Sequence, residues 1–173
     1  CVTSTTTTFQ AYGSPAREGG MLIQTPGIAM RAVGIAAFAN RSGSPSGAAR
    51  FRLYSGAGAT GRTLLGTTDS TPSTSVSLVR SYIVGYFSSP IIIPANTWIS
   101  LVLSNTAADS STVNFRGTST DLMSAFATLW YPWSPSAPKG TATTDGGTNW
   151  TDTSNQIAHM ALILDPSRPF VYI

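Results

Sequence analysis

The sequence predicts an all-β fold, an antiparallel β-sandwich of the jelly-roll kind, and three observations carry the prediction. Residues 49–54 alternate, with Ala49, Phe51 and Leu53 on one side and Arg50, Arg52 and Tyr54 on the other, as a strand with one wet face requires. In residues 97–103, Thr97, Ile99, Leu101 and Leu103 share an apolar face, whereas Trp98, Ser100 and Val102 share a mixed one. Clusters of Ser, Thr, Gly and Pro separate such runs throughout the chain, and no run carries the spacing of an amphipathic helix. Roughly eight to ten short strands follow from this pattern.

In order, residues 3–8 are a threonine tract leading into Phe9 and Tyr12, which reads as an edge strand or an N-terminal arm reaching to residue 27. Residues 13–20 read as loop by composition, and residues 21–24 as a short strand closed by Pro26-Gly27. Residues 28–40 carry enough alanine for a helix, but Gly34 and the set Val33, Ile35 and Phe38 favour a long strand. A turn at 41–47 leads to the strand 49–54, a glycine-rich turn to the strand 62–67, and residues 69–77 read as loop.

Residues 82–87 and 97–103 read as neighbouring strands at the centre of a sheet. Pro90 and Pro94 cannot donate to a ladder, so residues 91–93 form an edge piece or a corner where the chain changes sheet. Residues 112–116 and 157–164 are further strands, 121–133 carry a mixed signal, and 134–149 read as a long loop. The apolar end Phe170-Val171-Tyr172-Ile173 is either a last strand or a contact with another subunit.

At 173 residues the chain fits one domain, 1–173, with a core of its own. Cys1 is the only cysteine, which excludes an internal disulfide and a cysteine metal site. Its position, ahead of a polar Ser/Thr tract, suits the lipidated residue of a bacterial lipoprotein or, more commonly, a processing or fragment boundary. Charged residues make up only 10% of the chain, a composition suited to extracellular or virion surfaces. The net charge of +3 comes from scattered arginines and a single lysine, Lys139, so no basic run tracks a nucleic-acid backbone. No apolar run approaches the ~18 residues of a membrane span.

Five pieces in order resemble a family of jelly-roll modules found in secreted bacterial proteins, beside glycan-active domains and in phage appendages. They are Ser42-Gly43-Ser44-Pro45-Ser46-Gly47, Phe51-Arg52-Leu53-Tyr54-Ser55-Gly56, Thr63-Leu64-Leu65-Gly66, the corner from Phe87-Ser88-Ser89-Pro90 to Ile93-Pro94-Ala95-Asn96-Thr97-Trp98, and Thr144-Asp145-Gly146-Gly147-Thr148-Asn149-Trp150-Thr151. The resemblance spans residues 28–165. At the corner the family pattern has Gly where this chain has Asn96, which also tolerates left-handed backbone. The resemblance implies carbohydrate binding or a part in spikes, fibres or head decorations.

Catalytic chemistry finds little support. The single histidine, His159, lies in an apolar strand run, where a hydrogen-bonded structural role is expected rather than a triad role. Glu18, Asp69, Asp109, Asp121, Asp145 and Asp152 show no local pairing of the kind a glycosidase uses. The expectation is therefore no enzyme, no cofactor and no metal. Calcium held by Asp145 and Asp152 around Gly146-Gly147 is a weaker alternative to turn-forming aspartates.

The functional signal is aromatic. Trp130, Tyr131, Trp133 and Trp150 lie in a Pro-, Ser- and Gly-rich region, where flat rings can stack on a sugar and Asn149, Asp145 and Lys139 can bond its hydroxyls. The alternative is that Trp130 and Trp150 cap the core. Two readings compete: a glycan-recognition or adhesion module, with Tyr131 and Trp133 stacking and Asn149 and Asp145 bonding, and a structural virion or filament subunit that self-associates without a ligand. The sequons at Asn40 and Asn149 would count only in a eukaryotic secretory route.

Overall fold

The computed structural model describes residues 6–13, 16–44, 47–106, 112–119, 136–154, 156–167 and 170–171. These residues form strands β1 (Thr6–Gly13), β2 (Ala16–Gln24), β3 (Ala29–Ser42), β4 (Ala48–Ser55), β5 (Thr63–Thr67), β6 (Thr71–Pro72) and β7 (Ser81–Ile93). Seven more follow: β8 (Trp98–Asn105), β9 (Thr112–Ser119), β10 (Lys139–Thr143), β11 (Thr151–Thr153), β12 (Gln156–Ala158), β13 (Met160–Leu164) and β14 (Phe170–Val171). The only helical element among the described residues is a 3₁₀ turn, Ser73–Ser75. No described helix is long and apolar enough to cross a membrane.

All pairings are antiparallel, and they build two sheets. In the first, β3 is the spine: β7 lines one side, while β14, β13 and β9 follow one another along the other. β9 pairs in turn with β1 and β12. In the second sheet, β8 lies between β2 and β4, with β5 and β6 beyond β4 and β10 and β11 beyond β2. The β1–β2 pairing, Tyr12 with Arg17 and Gly13 with Ala16, joins the sheets. The fold is sandwich-like, because one apolar cluster draws on both sheets: Ile35, Ala37 and Met160 from the first, Phe51, Leu53, Ile99, Leu101 and Leu103 from the second. These last five, expected from the alternation to be inside, are all buried.

Residues 82–87 and 97–103 are not neighbours. β8 holds the centre of the second sheet, but β7 pairs with β3 in the first, so the Pro-bounded segment between them carries the chain across. The corner reading of that segment holds. Ile91, Ile92 and Ile93 finish the edge strand against Ala32, Arg31 and Met30, after a bulge that sets Phe87, Ser88, Ser89 and Pro90 against Val33 alone. The crossover turns at Asn96, with φ 55°. The Asn96 N–H donates to Pro26 O at 2.9 Å, so the turn is pinned to the end of β2. The long strand read at 28–40 is β3.

Two segments read as loop contain strands. Residues 16–20 belong to β2, where composition misleads because glycine is required by packing: a Cβ on Gly20 would stand 1.8 Å from the Leu101 carbonyl oxygen. Residues 139–143 form β10, which the register sets between β2 and β11 with Gly140, Thr141 and Thr143 buried, a placement that local composition does not report. Residues 69–77 likewise include the short β6 and the 3₁₀ turn. The strand expected at 157–164 is broken at His159 into β12 and β13, and His159 O accepts from Phe38 N. Phe170 and Val171 take the last-strand option, pairing with Met30 and Ala29.

Candidate functional site

The two sheets each have an outward face, and the sequence places the chemistry on one of them. On the second sheet, register aligns Thr141, Gly20, Val102 and Arg52 in one row, and Thr143, Glu18, Ser104 and Arg50 in the next. Tyr54 stands opposite Ser100. A strand with a wet outer face would leave these side chains in water, yet β8 is buried almost throughout and Tyr54 is only 3% exposed. The loops 56–62 and 144–150 roof this face. They are tied to each other where Thr60 bridges Asn149 and where Trp150 N donates to Ala59 O at 2.8 Å.

Under the roof lies a second small core of Tyr54, Val102 and Trp150, ringed by charge. The Trp150 ring meets Tyr54 edge-on at 4.9 Å, and the Arg62 guanidinium lies 4.6 Å from the Trp150 ring centre. Trp150 Nε1 donates to Gly147 O at 2.9 Å, so its polar edge is satisfied. Arg62, whose side chain is fully buried, donates to both Asp152 carboxylate oxygens at 2.7 and 2.6 Å, to Ser100 Oγ at 2.7 Å, to Thr141 Oγ1 at 2.8 Å and to Gly58 O. A buried guanidinium with that many acceptors, set against the Trp150 ring, bolts both loops to three strands, β8, β10 and β11.

Glu18, 2% exposed, accepts from the Arg52 guanidinium and from the Tyr54 hydroxyl at 3.1 Å. Burial first, and then the Glu18 charge, hold the Tyr54 phenol well above its usual range. Gly147 packs on this ring: its φ is +104°, and a Cβ there would stand 2.8 Å from the Tyr54 hydroxyl oxygen.

Two of the four expected sugar-contacting residues fall in this roof. Asp145 Oδ1 accepts from Thr143 Oγ1 at 2.7 Å, Thr148 N at 3.0 Å and Asn149 N at 2.9 Å, and Asp145 Oδ2 accepts from Asn149 Nδ2 at 2.6 Å. The Asn149 N–H and then the Thr143 hydroxyl lower the Asp145 carboxyl to about 2. Asp145 and Asn149 thus bond each other and cap the turn. Tyr131 and Trp133, with Trp130, lie outside the described residues. Trp150 takes its capping role, though over the outer face rather than the inner core.

Asp152 is the Arg62 partner, and among the described residues no three His, Cys, Asp or Glu side chains gather as metal ligands. Lys139 lies with its ammonium 5.6 Å from the Trp98 ring centre, and Ser136 Oγ donates to Gln24 Oε1 at 2.6 Å nearby on the neighbouring β2. Sequence reasoning missed Glu18 and Arg62 as members of one network. No local spacing could have shown it, because their side-chain hydrogen-bond partners come from 34 to 90 positions away.

The outward face of the first sheet is built otherwise. Tyr82, Val84 and Tyr86 of β7 stand opposite Phe38, Ala36 and Gly34 of β3, and Ala161 and Ile163 of β13 stand opposite Ala36 and Gly34 on the far side. The Tyr82 and Phe38 rings touch at 5.2 Å. A Cβ at Gly34 would lie 3.1 Å from Tyr86 Cδ1, so the glycine seats that ring. Tyr82 is 65% exposed, Val84 40% and Tyr86 56%. Among the described residues, six of the eight exposed large hydrophobics lie between positions 78 and 92.

Compared with known proteins, the chain matches no family model, no curated protein and no solved structure.

Proposed function

We propose that the chain is a non-catalytic jelly-roll β-sandwich that serves as a structural subunit of an extracellular or virion assembly and works through its surface. One observation carries this: among the described residues, four of the eight exposed large hydrophobics, Tyr82, Val84, Tyr86 and Ile92, stand along β7, whereas the candidate chemical groups Glu18, Arg62, Asp145 and Asp152 are spent on holding the fold. The low charge content supports the same reading. Light scattering on the purified chain tests it. A defined oligomer or polymer is expected; a monomer of 18.1 kDa at high concentration would contradict it.

A second reading, a glycan-recognition or adhesion module, is favoured by the end of the second sheet where Trp98, Lys139, Gln24 and Ser136 gather. Tyr131 and Trp133 precede Ser136 in the chain and would add stacking rings. A glycan array with the wild type and with Trp98→Ala and Trp133→Ala separates the readings. Sugar binding lost in either variant would establish recognition at this end, and a blank array with an oligomeric protein would favour the structural role.

A further inference from the structure

We infer that the outward face of β7, β3 and β13 is covered by the same face of a second copy, in a two-fold stack with Val84 on the axis. The inference rests on the assembly reading and names its partner. Three features of the face decide the occupant.

The first is its chemistry. A sugar needs amides, carboxylates or charges around the ring that it stacks on. Around Tyr82, Val84, Tyr86, Phe38, Ala36, Ala161 and Ile163 the centre of the face carries, among the described residues, only the tyrosine hydroxyls; at its ends stand His159 beside Phe38, Arg80 before Tyr82, Arg31 opposite Ile92, and Asn40, whose amide already donates to Arg41 O and Leu78 O. An apolar sheet face is the complement of such a surface, and sheets stack at about 10 Å.

The second is area. Tyr82 and Tyr86 leave more than half their surface in water, and Val84, Ile92 and the half-buried Phe38, Ala36, Ala161 and Ile163 add to it. At up to roughly 150–250 Å² for a whole aromatic side chain, the face offers on the order of 500–600 Å² per copy, so two copies reach the ~1,000 Å² that a specific interface needs.

The third is self-complementarity. Tyr82 and Tyr86 lie two residues either side of Val84 on one side of the strand, about 13 Å apart. An axis lying between the sheets and crossing β7 at Val84 sets Val84 on Val84, Tyr82 of one copy on Tyr86 of the other, and β3 over β3. Such an isologous contact closes on itself. Growth through the β7 edge is disfavoured, because the Asp69 N–H already donates to Tyr86 O at 2.9 Å and the bulge with Pro90 interrupts the strand beyond it.

Sedimentation equilibrium with Tyr82→Asp, Tyr86→Lys and their equimolar mixture tests the pairing. Wild type is expected to sediment at twice the 18.1 kDa chain mass or a multiple of that, and each variant alone to lose the contact. The mixture should regain it, because one of the two symmetric contacts becomes an Asp–Lys pair and the other stays Tyr–Tyr. Circular dichroism of each variant guards against misfolding. Val84→Cys on a Cys1→Ser background, treated with a short bismaleimide, should give a cross-linked dimer. Wild type that associates while both variants associate equally well overturns the inference and leaves the assembly reading intact. Variants that dissociate without rescue on mixing, and a Val84→Cys chain that does not cross-link, overturn the two-fold register. A wild type that stays monomeric at all concentrations overturns both.

Discussion

The two outward faces of this molecule solve the same problem in opposite ways. Both sheets bury their inner faces in one shared core, so each has an outer face to dispose of. The second sheet is roofed by its own loops, with Arg62, Glu18 and Trp150 clamping the roof down. The first sheet has Tyr82, Val84 and Tyr86 in water along β7. A face closed within the chain can afford buried charge, since every partner is fixed in place. A face closed by another molecule is better made of apolar groups, which need no exact mate until contact is made.

The inner core sets the scale against which either face is measured. Leu101, fully buried in mid-β8, should lose roughly 2–5 kcal/mol of stability on Leu101→Ala, read from denaturant midpoints; a loss under about 1 would mean that β8 does not bury this side chain inward. The roof comes next. Arg62→Ala leaves Asp152 without its cation, with only the Thr141 hydroxyl, among the described residues, donating to it, and frees both loops, at a cost of about 3 kcal/mol, the lower end for broken buried pairs because Asp152 keeps 22% of its side chain exposed. Faster amide exchange at residues 56–62 and 144–150, and not along β7, is the accompanying signature.

The smallest effect belongs to the turn at Asp145. Its carboxyl titrates near 2 in the folded chain against 3.8 ordinarily, so its contribution is complete above pH 3.8 and is lost as pH falls through about 2. Asn149→Ala removes the Nδ2 donor and should raise the Asp145 pKa, as followed by carboxyl carbon NMR. An unchanged value would show that the backbone N–H groups alone hold it down.

The inner core was legible in the sequence because period-two alternation reports burial locally: Phe51, Leu53, Ile99, Leu101 and Leu103 needed no knowledge of their partners. Pairing was not legible. Nothing in residues 82–87 says that their mate is β3 rather than the strand that follows, and only the proline-bounded corner hinted at a change of sheet. Composition misplaced residues 16–20, where glycine marks a close approach to Leu101 rather than a loop. Of the site, Asp145 and Asn149 were visible as a polar turn, but their engagement with each other was not. The exposed face of β7 went unrecognised because Tyr82, Val84 and Tyr86 look like core residues until the sheet's two sides are told apart.

The most direct measurement is hydroxyl-radical footprinting of the aromatic side chains as protein concentration rises from micromolar to millimolar. Tyr54 and Trp150, closed over by the chain itself, should resist labelling at every concentration. Tyr82 and Tyr86 should be labelled strongly when dilute and become protected together as the chain associates. Tyr82 and Tyr86 labelled equally at both extremes, or Tyr54 and Trp150 labelled as readily as they are, would contradict the account.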